Sequence, residues 1–224
     1  MIRCARSLTR PPEGTEVTST AEHPRIIDAR IPDSQKVAPK PPVPELTEKR
    51  YLRLAAPDGA DCQLIHDWMK APHVAPAWKQ DWPLEQWHAH LSQMYDNTYE
   101  RPYILEYDGE AVAYLELYRA ARDVIADHYD AHAWDIGLHG AIGNIKYVGK
   151  TLGFRVWMDI IPALFRAEPQ CRAVMTDPAV DNEMALRLDQ GVANRIGGEN
   201  LGEAQLPHKK AVLFRYSRAA FEAR

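Results

Sequence analysis

Cysteine is scarce: Cys4, Cys62 and Cys171 are the only three in a chain of 224 residues. They lie far apart, are odd in number and form no C-x-x-C pair, which argues against a disulfide framework and a zinc-thiolate site. A reducing cytoplasm is the expected home. No window approaches the roughly 18 apolar residues of a membrane span, and the opening "MIRCARSLTRPPEG" has no apolar run of secretory length. A basic excess is missing too. With 27 Lys+Arg against 31 Asp+Glu the formal net charge is −4, which speaks against a nucleic-acid backbone as main partner, since such proteins carry cations to release counterions. No G-x-S-x-G, Cys/His dyad or Rossmann fingerprint occurs.

What is present is an ordinary globular composition, 46% apolar and 26% charged, in a length that suits one sizeable domain with an appendage. Eight of the 17 prolines fall in the first 45 residues, ending in "VAPKPPVPEL". Proline fixes φ and lacks the backbone donor, so residues 1–45 read as an arm and 46–224 as the domain. Within the arm, "HPRIIDARIPD" has enough isoleucine for an edge strand or for docking on the body, so partial order is expected.

From residue 50 onward the apolar spacing resolves into elements. "YLRLAAP" alternates as a strand, and "DGADCQLIHDWMKAP" follows as a helix with Asp58 as N-cap. "WPLEQWHAHLSQMYDN" reads as a helix opened by Pro83. Asp108-Gly109 sits between alternating apolar runs and predicts a hairpin over "RPYILEYDGEAVAYLELYRA". "AWDIGLHGAIG" is a buried strand, "GFRVWMDIIPALFRA" a helix kinked at Pro162, "CRAVMTDP" a strand stopped by Pro178, "DNEMALRLDQG" a helix closed by Gly191, and "KKAVLFRYS" a last strand before a short helix. The order β-α-α-β-β-β-α-β-α-β-β describes a single α/β (α+β) domain with helices packed on a mixed sheet.

Between the fourth strand and its helix lies "GNIKYVGKTLG", residues 143–153. Its Gly-Lys-Thr invites a P-loop reading, but G-x-x-x-x-G-K-[ST] needs glycine at 144, which is Asn, and Gly143 is one residue too early. The physical context survives the failed motif: a strand, a glycine-bearing turn with a lysine, then a helix start whose free N–H groups and dipole favour any phosphate. A plain connection with Lys150 in solvent is the bland alternative.

Four segments in order, "WMKAPHVAPAWKQDWP", "YLELYRAARDVIADHYDAHAWDIGLH", "CRAVMTDPAVDN" and "LGEAQLPHKKAVLF", carry a resemblance to the GNAT superfamily of acyl-CoA-dependent N-acyltransferases. More closely, the chain resembles the siderophore-pathway branch that acylates lysine-derived or hydroxylated diamine side chains. The resemblance implies a GNAT fold, a mixed central sheet with splayed central strands, and acetyl-CoA or another acyl-CoA as co-substrate without a metal. It implies a small amine or hydroxylamine as acceptor, with other enzymes of the same pathway as possible partners. It sets a pyrophosphate loop of pattern R/Q-x-x-G-x-G/A on Val148, Gly149, Lys150, Thr151, Leu152 and Gly153, where Val148 and Thr151 depart from the pattern. Pantetheine is then expected along His139, Gly140, Ala141 and Ile142, with Asn182 as a side-chain contact.

The same resemblance makes His139 and Asp177 the catalytic pair. The residue types suit the chemistry, because an amine attacking a thioester must lose a proton and a histidine with an ordinary pKa near 6.5 can take it, while a carboxylate orients the ring. A core histidine and a turn-capping aspartate are the bland readings, and Asp181 is a nearby competitor. Pro207, His208 and Lys209 in "LPHKKA" and Trp78 in "PHVAPAW" are expected near the acceptor, against a solvated turn and a core aromatic. His88 and His90, at i and i+2, face different ways on a helix and are no metal pair. His128 and His132, with Asp127 and Asp130, have ligand-like i,i+4 spacing but read better as a solvated loop. A GNAT enzyme for another amine, such as an aminoglycoside, and a non-catalytic acyl-CoA-binding protein are the alternatives.

Overall fold

A computed structural model describes residues 25–224; Cys4 and most of the expected arm, residues 1–24, lie outside the described residues. Seven strands form one sheet in the order β1-β2-β3-β4-β5-β7-β6. They are β1 (Arg50–Leu54), β2 (Glu100–Tyr107), β3 (Glu110–Arg119), β4 (Ile136–Ile142), β5 (Ala173–Thr176), β6 (Glu199–Gln205) and β7 (Lys210–Ser217). All neighbours are antiparallel except β4 and β5. The β2–β3 hairpin turns at Asp108 and Gly109, both with positive φ, the conformation that suits the right-handed twist of the strands it joins.

Helices cover both faces. On one side α1 (Gly59–Met69) and α3 (Leu84–Asp96), joined by the single turn α2 (Ala75–Trp78), bury Ile65, Trp87, Leu91 and Met94 against Ile104 and Tyr114. On the other, α4 (Leu152–Ala167) and α5 (Glu183–Ile196) pack Val156, Ile160, Leu164 and Val192 against Leu105, Leu115, Leu117 and Leu138. Strand alternation decides which side chain goes where: Leu115 and Leu117 point to α4, whereas Tyr114 and Glu116 point to α3.

Two local expectations need correction. The α5 helix does not close at Gly191; it continues to Ile196 and ends on Gly197 in the left-handed region, φ 78°. A left-handed C′ glycine satisfies the last carbonyls, which Gly191 in mid-helix cannot do. Asp58 does stand at the N-cap of α1, but its side chain makes no capping hydrogen bond. Helix α4 runs on through Pro162.

The feature that matters for function is the short pairing of β4 with β5. Only Ile136 and Gly137 pair with Val174 and Met175, while β4 stays in register with β3 as far as Ile142. Beyond Gly137 the two parallel strands therefore part and open a cleft in the middle of the sheet.

Candidate active site

His139 sits on β4 just past that parting and is cross-strand partner to Glu116 on β3. The register brings Nδ1 to 3.1 Å from Glu116 Oε2. From the other lip, where β5 ends, Asp177 Oδ1 lies 2.7 Å from Nε2. The second Asp177 oxygen pairs with Lys209 Nζ at 3.0 Å, and Tyr118 OH stands 3.3 Å from Nε2. Trp78 closes the ring from above, edge-on, with centroids 6.5 Å apart. His139, Asp177, Trp78, Asn182, His208 and Lys209 all line one cleft of about 160 Å³.

The electrostatics follow from burial and partners. Burial would raise Asp177, but Lys209, His139 and Arg25 hold it far below the usual carboxylate range. Burial and Arg25 pull His139 down; Asp177 and Glu116 outweigh them, so its pKa stands above the ordinary histidine value. Burial likewise works against Glu116, which His139, His90 and Arg25 keep ionised. With a proton on Nε2 alone the ring donates to Asp177 and accepts from Arg25 at Nδ1; with a proton on each nitrogen it donates to Asp177 and to Glu116.

Beyond His139 the cleft becomes apolar. A second cavity of about 80 Å³ is lined by Leu105, Leu115, Gly140, Ala141, Ile142 and Gly153, with Trp157 and Asp189 shared between the two. Asp189 is buried, and burial pushes its carboxyl up to about 6 although Thr176, Tyr216 and Trp157 all donate to it. Between two lining residues of this cavity, Ile142 and Leu152, the loop of residues 143–151 makes a 3-10 turn over Ile145–Tyr147 and then passes Gly149 in the left-handed region, φ 71°. Thr151 is the N-cap of α4 without a side-chain cap bond, so the first helical N–H groups at Leu152, Gly153 and Phe154 precede the first intrahelical bond, Arg155 N to Thr151 O at 3.0 Å.

The expected residues thus fall into groups. His139, Asp177, Gly140, Asn182, Trp78, His208 and Lys209 meet in the main cleft, and Ala141, Ile142, Leu152 and Gly153 line its apolar end. Lys209 is engaged with Asp177 rather than held out toward a ligand. Asn182 caps α5 by accepting from Ala185 N at 3.2 Å. Pro207 is exposed in the turn before β7 and is not among the cleft-lining residues. Val148, Gly149, Lys150 and Thr151 stand on the loop, where Lys150 Nζ lies over the Tyr147 ring at 5.7 Å. Among the described residues no group of three His, Cys, Asp or Glu side chains could hold a metal, and no helix is long and apolar enough to cross a membrane.

Four residues around the ring escaped the sequence reading: Glu116, Tyr118, and the ion pair of Arg25 with Asp123 at 3.0 Å. Glu116 did leave a signal, an acid in "YLELY" at the inward phase of an otherwise apolar strand. Arg25 left none, because nothing local ties a proline-rich arm to a strand more than a hundred residues away.

The acetyltransferase (GNAT) domain family matches residues 58–203. The lysine N-acyltransferase MbtK of Mycolicibacterium paratuberculosis is 42% identical over 170 residues, 76% of each chain. The N-hydroxyputrescine acetyltransferase of Acinetobacter baumannii is 29% identical, covering 72% of this chain and 74% of that protein. Among solved structures, AAC(6')-Ib in complex with paromomycin and acetyl-CoA superposes with a TM-score of 0.65 at 24% identity, over 78% of this chain and 97% of that one. With the family match covering well over half the chain and the splayed β4–β5 cleft in its sheet, this protein belongs to the GNAT acetyltransferase family.

Proposed function

We propose that the protein is an acyl-CoA-dependent N-acyltransferase of hydroxamate siderophore biosynthesis, moving a short acyl group, acetyl or similar, to the free or N-hydroxylated side-chain amine of lysine or a related diamine. The relatives that act on lysine and N-hydroxyputrescine by name support the acceptor class. The observation that carries the reading is the His139–Asp177 pair at the point where β4 leaves β5, between a charged half-cleft and an apolar one.

The residues present fit a CoA thioester. Among the described residues the β5-facing edge of Leu138–Ile142 has no strand partner, which suits an extended amide-bearing arm. The uncapped start of α4 behind Gly149 suits a pyrophosphate, because free N–H groups and the dipole act together there. Bound acyl-CoA would supply an activated acyl carbonyl, and the rest is done by this chain. Val148, Gly149, Lys150 and Thr151 shape the loop at the phosphate end, and Gly153 lets α4 approach α5: a Cβ there would meet Leu188 at 2.9 Å. Trp78 and His208 wall the acceptor. His139 accepts the acceptor's proton, and Asp177 against Nε2 and Glu116 against Nδ1 orient the ring and stabilise its protonated form. Lys209 keeps Asp177 ionised throughout. The acceptor nitrogen attacks the acyl carbonyl directly, with no acyl-enzyme; the thioester C–S bond breaks as the C–N bond forms, the CoA thiolate leaves and takes up a proton from solvent, and the reaction belongs in the cytoplasm, where acyl-CoA is available.

Thiol release with acetyl-CoA and N6-hydroxylysine, wild type beside His139→Ala, tests the reading. Turnover that persists in the variant sinks the catalytic assignment. Failure with every hydroxylated or free diamine, together with turnover of an aminoglycoside, sinks the acceptor class, and a donor series read by mass spectrometry decides acyl length.

A further inference from the structure

Arg25 enters the site from outside the matched residues 58–203. Its backbone is tied down by Val124 N, which donates to Arg25 O at 2.8 Å, and by Ile27 N, which donates to Arg122 O at 3.0 Å, with Ile27 itself buried. From this anchor the guanidinium, 14% exposed, reaches three partners: Asp123 Oδ2 at 3.0 Å, Glu116 Oε2 at 3.5 Å and His139 Nδ1 at 3.0 Å. It also lies 5.0 Å from the centre of the Tyr118 ring.

Nδ1 cannot satisfy both neighbours in one protonation state. As a lone pair it accepts from Arg25; as N–H it donates to Glu116 and meets the Arg25 N–H donor head-on. Which state prevails depends on the charges that face the ring. They are Glu116 and Tyr118 from β3, Asp177 beyond β5 with Lys209 behind it, His208 from the turn before β7, Asp123 from the segment after β3, and His90 of α3 through Glu116. Three buried carboxylates surround one imidazole, and Lys209 offsets one of them. Remove Arg25 and the remaining negative charge keeps the ring protonated, unable to take a proton from an acceptor.

We propose that Arg25 is a positioning residue, delivered to Nδ1 by the docked N-terminal segment so that His139 is able to give up its proton at neutral pH. The proposal rests on the reading of His139 as the base. It also makes the segment ahead of the matched domain a working part of the active site.

Ring ¹⁵N chemical shifts of the full chain, followed against pH without donor or acceptor and assigned by loss of the signal in His139→Ala, report the ring's state directly. Arg25→Met is expected to move the His139 midpoint up by about one pH unit or more, and to lose turnover at pH 7 that returns in part at pH 9. Glu116→Gln, which removes a negative charge but keeps an acceptor for Nδ1, is expected to move the midpoint down. Arg25→Lys falls between, because an ammonium cannot reach Asp123 and Nδ1 together as the fork does. A merely structural Arg25 would lower turnover equally at every pH and leave the midpoint in place, and that result overturns the proposal. So does a shift of the same sign in the Arg25 and Glu116 variants. Should Arg25→Met not fold, the Lys and Gln variants decide by the same opposite signs. If His139→Ala retains turnover while the midpoints move as expected, the base assignment fails and the control by Arg25 stands; fixed midpoints with an inactive His139→Ala give the reverse.

Discussion

The two ends of β4 solve opposite problems. Around His139 the cleft is a dense set of ionisable groups, the buried Glu116, Asp123 and Asp177 and the partly buried Arg25 and Lys209, drawn from separate parts of the chain. At the far end, from Gly140 to Gly153, the lining is mostly aliphatic, Asp189 is its one carboxyl, and the start of α4 offers backbone N–H groups. Two aspartates of the cleft, Asp177 and Asp189, show the difference. Asp177, among cations, is held ionised, whereas Asp189, with neutral donors, is pushed up to about 6 by burial. Buried charge is tolerated only where countercharges converge, which suits the proposed proton acceptor to one end and the proposed uncharged thioester arm to the other.

Variants at the charged end are expected to damage turnover, and those at the backbone end only affinity. The largest effect is expected for His139→Ala: thiol release falls by about 10²–10⁴-fold, the span of a lost general base, while the calorimetric affinity for CoA is kept. An equal loss of CoA affinity would erase the division between the two ends. Asp177→Asn is expected to cost about 10²-fold and to move the acid limb of the kcat/KM profile downward, because removing a negative neighbour destabilises the imidazolium.

In the unaltered enzyme that acid limb should lie above the ordinary histidine value of about 6.5, since the folded environment raises His139 and the neutral ring is the active one. Linkage carries the same sign into stability: the contribution of this ring is fully present below its unfolded pKa and is lost as pH rises through the folded one. A limb below 6.5 would remove the ring from the pH-controlling step.

At the backbone end, Gly149→Ala places a Cβ on a residue with φ 71°, a strain of about 1–2 kcal/mol. It is expected to weaken CoA binding by about tenfold at most with the pH profile unmoved. The smallest effect is expected for Thr151→Val, whose hydroxyl caps nothing: CoA affinity should stay within about twofold, and added EDTA should leave turnover intact. A magnesium requirement would restore the P-loop reading of "GNIKYVGKTLG".

The contrast between the two ends also explains what was legible beforehand. The backbone end is local in sequence, a strand, a glycine turn and a helix start within about twenty residues, so periodicity and turn chemistry expose it even when the motif register fails at Val148 and Thr151. Where such local reading went astray it did so through competing local signals: Gly191 stood where a helix could stop, but packing of Val192 and Ile196 against the sheet carried α5 on to Gly197. The charged end is assembled by pairing. Glu116 meets His139 only because β3 and β4 are in that register, and Lys209 meets Asp177 only because β5 and β7 are neighbours.

The sequence by itself determined most of the elements and their order and pointed to the two residues proposed for the chemistry, because apolar spacing, turn residues and the four GNAT-like segments are properties of short stretches. Tertiary structure alone decided what surrounds that pair. Whether a histidine can act as a base depends on charges within a few ångströms of it, and those charges, Arg25 above all, come from parts of the chain that only the folded sheet brings together.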